Sequence, residues 1–287
     1  MSPPAPGPGA EASRRPGPSL LVFTDLDGTL LDRETYSFDA ARPALAALAA
    51  HGVPLVLCTS KTRAEVAAIR ARLGNRDPYI VENGGAVVVP VTAADAPPAG
   101  AVRDGDEWVV TLGAPRAELV AALRAASAET GVAVRGLSDM TAEELGALTG
   151  LPSGDAARAL VRECSEPFRV LAGADDAPLR AALAARGCAV RAGGRLLHVS
   201  RGSDKGAAAA RVTELQRARV GAVRTVALGD APNDLPLLKA VDVPIIVRSP
   251  HAGELAAALP GAPVTDVEGP RGWNAAVLRL LAGAPSG

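Results

Sequence analysis

Short apolar runs alternate along this chain with segments whose apolar positions recur at helical spacing. Residues 20–23, 53–57, 223–228 and 243–247 are almost continuously apolar, the pattern of parallel strands covered on both faces. Residues 40–51 are rich in Ala and Leu, place Leu45 and Leu48 at helical spacing, and end at His51-Gly52, a helix stop. Together the first of these segments form a strand–helix–strand unit, which predicts a parallel pair with a right-handed crossover. Residues 63–73 read as a helix. Two short strands, 78–81 and 86–89, flank Asn83-Gly84, a hairpin signal. Between 90 and 200 the spacing changes. Strands are predicted at 107–112, 132–135, 168–171, 189–192 and 195–200, with helices at 116–126, 155–162 and 178–186. Thr141 ahead of Glu144 has the spacing of a capping box. A last helix covers 275–281. The pattern predicts an α/β core, residues 19–89 and 201–287, interrupted by an inserted α+β domain at 90–200. Residues 1–18, rich in Pro, Gly and Ala, read as a disordered tail.

Composition narrows the possible functions. The 287 residues are 48% hydrophobic, mostly Ala, Leu and Val, which is ample for a core of this size. Net charge is −1 and no basic stripe appears, so nucleic acid is not an expected partner. No apolar run approaches the roughly 18 residues that span a bilayer, so no membrane association is expected. Cys58, Cys164 and Cys188 are widely spaced and form no zinc or redox pattern, which suits a reducing cytoplasm. The Arg14-Arg15 pair lacks the apolar stretch that an export signal would place after it.

The candidate chemistry sits where apolar strands end. The first strand runs into Thr24-Asp25-Leu26-Asp27-Gly28-Thr29. Two carboxylates at a buried strand end are costly unless a cation or proton compensates. Mg²⁺ suits such a place, because it takes one or two carboxylates, keeps several waters and leaves room for a substrate phosphate. The second strand ends in Cys58-Thr59-Ser60-Lys61. Hydroxyls and amides there can donate to a phosphate oxygen, although Thr59 or Ser60 would also serve as an ordinary N-cap for the helix that follows. Lys61 faces either a phosphate or solvent. Farther on, Asp204-Lys205-Gly206 opens an Ala-rich helix, and Gly229-Asp230-Ala231-Pro232-Asn233-Asp234 follows another apolar strand. The two acid clusters make sense together only if both strands end at one edge of a parallel sheet, where open α/β sheets bind ligands.

These four segments, in this order, resemble the four signatures of the haloacid dehalogenase superfamily of phosphatases. The resemblance implies a Rossmann-like parallel-sheet core with an inserted cap that selects substrate. It implies that Asp25 is the nucleophile and Asp27 the general acid, then base. Thr59 and Lys205 would contact the phosphoryl group, with Ser60 and Lys61 beside them. Asp25, Asp27, Asp230, Asn233 and Asp234 would hold Mg²⁺ directly or through water. Asn83 would lie near the substrate's entry path. Within the cap, Ser165-Glu166-Pro167-Phe168 and Gly193-Gly194-Arg195-Leu196-Leu197-His198, with Gly269-Pro270-Arg271-Gly272-Trp273-Asn274 near the end, resemble the mannosyl-3-phosphoglycerate phosphatases. That resemblance implies a phosphorylated sugar-glycerate substrate. Glu166 would accept from sugar hydroxyls, and Arg169 or Arg195 would hold the carboxylate. Glu166 also reads as an acidic turn before a strand, and His198 as a core histidine. Glucosyl-3-phosphoglycerate and sucrose phosphate are alternative substrates, and a non-catalytic phosphosugar-binding protein is the alternative of another class.

Overall fold

A computed structural model describes residues 19–171, 175–193, 196–202 and 204–283. The tail at 1–18 and Arg195 lie outside the described residues. The strands are β1 (Ser19–Thr24), β2 (Leu55–Cys58), β3 (Tyr79–Val81), β4 (Ala86–Pro90), β5 (Val102–Asp104), β6 (Glu107–Thr111), β7 (Val134–Gly136), β8 (Glu166–Val170), β9 (Ala189–Gly193), β10 (Leu196–Ser200), β11 (Val223–Gly229), β12 (Val243–Arg248) and β13 (Val264–Glu268). The helices are α1 (Arg42–Ala50), α2 (Arg63–Leu73), α3 (Arg116–Thr130), α4 (Ala142–Thr149), α5 (Ser153–Leu160), α6 (Ala177–Ala185), α7 (Lys205–Val220), α8 (Leu235–Lys239), α9 (Ala252–Ala258) and α10 (Gly269–Leu281).

Nine strands form the core sheet in the order β13-β12-β11-β1-β2-β3-β4-β6-β5. The six from β13 to β3 are parallel, and β4, β6 and β5 continue the sheet antiparallel. Alternation within β1 shows why the run is apolar throughout. Val22 packs with α1 and α10 on one face, while Leu21 and Phe23 pack with α7, α8 and α9 on the other. β1 and β11 are adjacent and parallel, with Thr24 opposite Leu228, so Asp25 and Asp230 leave the sheet at the same edge. That is the juxtaposition the two acid clusters require.

The cap is smaller than the sequence pattern suggests. Residues 102–111 belong to the core sheet, because β6 pairs with β4 from Ala86 to Pro90 and β5 folds back onto β6. Antiparallel strands need only a tight connection, so this hairpin extends the core before the chain departs near residue 113. A second sheet, β7-β8-β10-β9, then forms the cap. Phe168, Val199, Leu119, Leu123, Leu179 and Leu183 fill the space between this sheet and α3 and α6. The predicted capping box is present at Thr141 and Glu144, opening α4.

Besides its chain connections, the cap is docked on the core by several contacts, two of them centred on Glu82 and Thr62. Glu82, buried in the turn between β3 and β4, accepts from the N–H groups of Glu163 and Cys164 and from Ser165 Oγ, at 2.8, 3.1 and 2.6 Å. Thr62 Oγ1 donates to the Arg158 carbonyl at 2.9 Å. The turn itself is left-handed at three consecutive residues, Glu82, Asn83 and Gly84. Gly84 is required there, since a Cβ would lie 2.1 Å from the Asp204 carbonyl oxygen. That close approach brings the turn against the start of α7.

Candidate active site

Three carboxylates and an ammonium meet at the strand ends. Lys205 Nζ lies 2.6 Å from Asp25 Oδ1 and 2.6 Å from Asp234 Oδ1, with the lysine fully buried. Asp204 caps α7 through the N–H groups of Gly206 and Ala207, and so fixes the turn that aims Lys205 inward. Burial works against the charge on Lys205, but Asp234 and Asp25 outweigh it and raise its pKa. Asp234 also receives the N–H groups of Asp230 and Ala231 on Oδ2, both at 3.0 Å. Both of its oxygens are therefore engaged in orienting the site. Asp230 accepts from Thr29 Oγ1 at 2.9 Å and pairs with Arg33 Nη2 at 2.6 Å. Gly28 has φ +84°, and a Cβ there would meet Asp230 Oδ2 at 2.7 Å, so only glycine lets the first acid motif close on the second.

Ligand oxygens of Asp25, Asp230 and Asp234 lie within 4.8 Å of one another. Burial, then Asp234, pushes the Asp25 carboxyl well above the usual carboxylate range, and Lys205 offsets this only in part. Burial and Asp234 likewise raise Asp230 to about 6, against the pull of Thr29 and Arg33. Buried carboxylates that resist ionisation are short of positive charge, and an all-oxygen donor set suits a hard divalent cation. The residues therefore fit a divalent cation such as Mg²⁺, which Asp25, Asp230 and Asp234 would hold.

The rest of the predicted site is placed as follows. Thr59 is buried, and its Oγ1 accepts from the Lys61 N–H at 3.2 Å. Neither Thr59 nor Ser60 caps α2. Thr62 does, in a capping box with Glu65, which leaves the two earlier hydroxyls for other uses. Lys61 points at neither solvent nor the carboxylate cluster. Its Nζ lies 2.8 Å from Asp27 Oδ2 and 5.0 Å from the Tyr36 ring centroid. Asp27 Oδ1 is buried with no hydrogen-bond partner among the described residues. Asn83 Oδ1 accepts from Asn233 Nδ2 at 3.1 Å. This joins the β3–β4 turn to the second acid motif.

Glu166 is corrected. Its carboxylate is fully buried, pairs with Arg116 Nε at 2.6 Å and accepts from the Ser138 N–H at 2.7 Å. An inward position on β8, beside Phe168, gives it a structural ion pair and no access to a sugar hydroxyl. Arg169 is exposed on the opposite face of β8, across from Arg135, and is not part of the carboxylate cluster. Two contributors stand outside the four signatures. Arg33 touches Asp230 as described. Trp273, buried in α10, donates from Nε1 to Thr24 Oγ1 at 3.0 Å, and Thr24 Oγ1 donates to the Asp25 carbonyl at 2.7 Å. The indole thus braces the backbone of Asp25, a role that its place in the Gly269–Asn274 resemblance did not reveal.

Known proteins resemble this chain in sequence and in fold. A family model described as haloacid dehalogenase-like hydrolase matches residues 22–94. The glucosyl-3-phosphoglycerate/mannosyl-3-phosphoglycerate phosphatase of Methanococcoides burtonii is 38% identical over 264 residues, covering 91% of this chain and 97% of the relative. The mannosyl-3-phosphoglycerate phosphatase of Pyrococcus furiosus is 34% identical over 229 residues, covering 79% and 90%. Among solved structures, a Thermoplasma acidophilum protein superposes with TM-score 0.65 at 18% identity, covering 92% of this chain and 99% of that one. The sucrose-phosphatase of Synechocystis superposes with TM-score 0.58 at 13% identity, covering 91% and 98%. The solved structures share the fold.

Proposed function

Since the chain belongs to the haloacid dehalogenase-like hydrolases, in the mannosyl-3-phosphoglycerate phosphatase family, we propose that it is a Mg²⁺-dependent phosphatase acting on a glycosyl-3-phosphoglycerate. The product would be mannosylglycerate, a compatible solute, with phosphate released. The observation that carries the proposal is the buried Asp25–Lys205–Asp234 arrangement beside Asp230. Three carboxylates and a fixed ammonium at one sheet edge support reading Asp25 as a nucleophile beside a divalent-cation site.

Asp25 attacks phosphorus in line and becomes an aspartyl-phosphate as the ester oxygen leaves. Asp27 gives that oxygen a proton, then takes one from the water that clears the intermediate. Lys205 and the donors at 59–61 face the phosphoryl oxygens and offset their charge. Mg²⁺, when bound, supplies Lewis-acid stabilisation of the same oxygens. The cap excludes water and selects the ester. Arg169, exposed on the cap sheet, and Arg195 are the candidate partners of the glycerate carboxylate. The name of the Methanococcoides burtonii relative includes the glucosyl ester, which favours a second reading in which both sugar epimers are accepted. No helix among the described residues is long and apolar enough to cross a membrane, and all three cysteines are unpaired and buried. Both features support our placing the reaction in the cytoplasm.

Phosphate release from a panel of esters tests the proposal. The panel holds mannosyl- and glucosyl-3-phosphoglycerate, sucrose 6-phosphate and hexose phosphates, each with Mg²⁺ or EDTA, and with Asp25→Asn as control. Preference for the glycosyl-3-phosphoglycerates, lost with EDTA and with the substitution, is expected. Preference for another ester would overturn the substrate, and turnover by Asp25→Asn would overturn the mechanism.

A further inference from the structure

The loop at residues 59–61 is held by its carbonyls. The Thr59 carbonyl accepts from the Asn83 N–H at 2.9 Å, and the Lys61 carbonyl from the Glu82 N–H at 2.9 Å. The carbonyl between them, that of Ser60, accepts at 3.1 Å from Nη1 of Arg162, a cap residue. In a trans peptide the C=O and the following N–H point in opposite directions, and the described residues contain no cis bond. Anchoring the Thr59 and Ser60 carbonyls therefore fixes where the amides of Ser60 and Lys61 point, and the Lys61 N–H is turned onto Thr59 Oγ1, 3.2 Å away. Two of the three anchors come from the core. The third depends on the cap.

Arg162 is an expensive residue to place there. Its side chain is 6% exposed, and its Nε is buried with no hydrogen-bond partner among the described residues. Nη1 also donates to Ser165 Oγ at 3.0 Å, but the nearest carboxylates, Glu65 and Glu82, stand 4.0 Å away. A guanidinium so poorly paired costs stability, and among the described residues Ser60 is its only hydrogen-bonded core backbone contact. We infer that Arg162 is a positioning residue for the phosphoryl-binding loop. By seating on the Ser60 carbonyl, it fixes the Ser60–Lys61 peptide whose N–H holds Thr59 Oγ1, so the Thr59 hydroxyl and the Ser60 amide are set as donors only when cap segment 158–165 is docked. The inference rests on the proposed function, in which this loop receives the phosphoryl group.

Arg162→Met and Arg162→Lys test it. Inorganic phosphate binding is measured by titration calorimetry. Turnover is measured with mannosyl-3-phosphoglycerate and with 4-nitrophenyl phosphate, which has neither sugar nor glycerate. Arg162→Met should weaken phosphate binding about tenfold, the effect of one hydrogen bond to a charged group. It should lower kcat/KM by the same factor for both esters, and Arg162→Lys, which keeps a donor, should recover part of both. A loss confined to the larger ester would overturn the inference, because Arg162 would then serve the sugar-glycerate end or the cap alone. Unchanged phosphate affinity in either variant would also overturn it. If Arg162→Met does not fold, the phosphate affinity of Arg162→Lys decides alone, weakened for and unchanged against. Wild-type turnover of the ester panel tests the function separately, so failure of one is not mistaken for failure of the other.

Discussion

Replacing Lys205 with Met removes the one ammonium that lies between two buried carboxylates 2.6 Å away on either side. Methionine nearly matches its length, so the perturbation is mainly of charge. Breaking a buried pair by deleting one partner costs about 3–5 kcal/mol, and Asp25 and Asp234 are then left facing each other. The loss should depend on pH. The Asp25 carboxyl is already raised by burial and by Asp234, and without Lys205 it rises further. A raised carboxyl contributes stability below its unfolded pKa and loses it as pH rises through the folded value. In EDTA, the deficit of Lys205→Met should therefore be small at acid pH and grow toward pH 8. Catalysis should fall by about 10²–10³, the range for deleting a fixed donor at a developing charge. Thermal denaturation across pH and phosphate release at saturating substrate measure the two effects. A pH-independent stability deficit, or kcat within about threefold of wild type, roughly 0.7 kcal/mol, would refute the reasoning.

Metal binding should stabilise the folded chain more at high pH than at low. Asp230, raised to about 6 from 3.8, carries a penalty on the order of 3 kcal/mol when ionised without a cation. The Mg²⁺-induced rise in Tm should thus grow between pH 5 and pH 7.5, and a rise that shrinks over that range would count against the site. Arg33→Met should tighten Mn²⁺ binding in the substrate-free protein, since the guanidinium competes for Asp230 Oδ2. Arg33 is about half exposed, so the gain should not exceed about fivefold, and calorimetry showing weaker binding would contradict it. Trp273→Phe deletes the donor to Thr24. It should cost about 1–3 kcal/mol of stability and lower kcat more than it raises KM, and an unchanged kcat would show that the brace does not reach Asp25.

The strand ends were legible because a buried parallel strand has no reason to finish in carboxylates. Asp25, Asp27, Lys205, Asp230 and Asp234 announce themselves as polar residues after apolar runs. The Thr62–Glu65 box was missed, although its spacing matches that of Thr141 and Glu144, because Thr59 and Ser60 competed for the capping role. Glu166 was not legible. Its partner Arg116 is 50 residues away, and an acidic residue before an apolar strand looks the same whether solvated or paired. Arg162 and Ser60 are 102 residues apart, and Trp273 and Thr24 are 249 apart. No local pattern encodes such contacts. The cap boundary was misplaced for a related reason, since residues 107–112 have the pattern of a strand but the pattern does not say which sheet it joins.

The central claim is that Asp25 carries the phosphoryl group. Asp27→Asn should be mixed rapidly with 4-nitrophenyl phosphate and Mg²⁺. This ester's leaving group needs no proton, so the first step should survive while hydrolysis of the intermediate stalls. Acid quench and peptide mapping should then find close to one phosphoryl group per chain, on the peptide containing Asp25, formed with a burst of nitrophenolate. No burst, or a phosphoryl group on any other residue, would contradict the account.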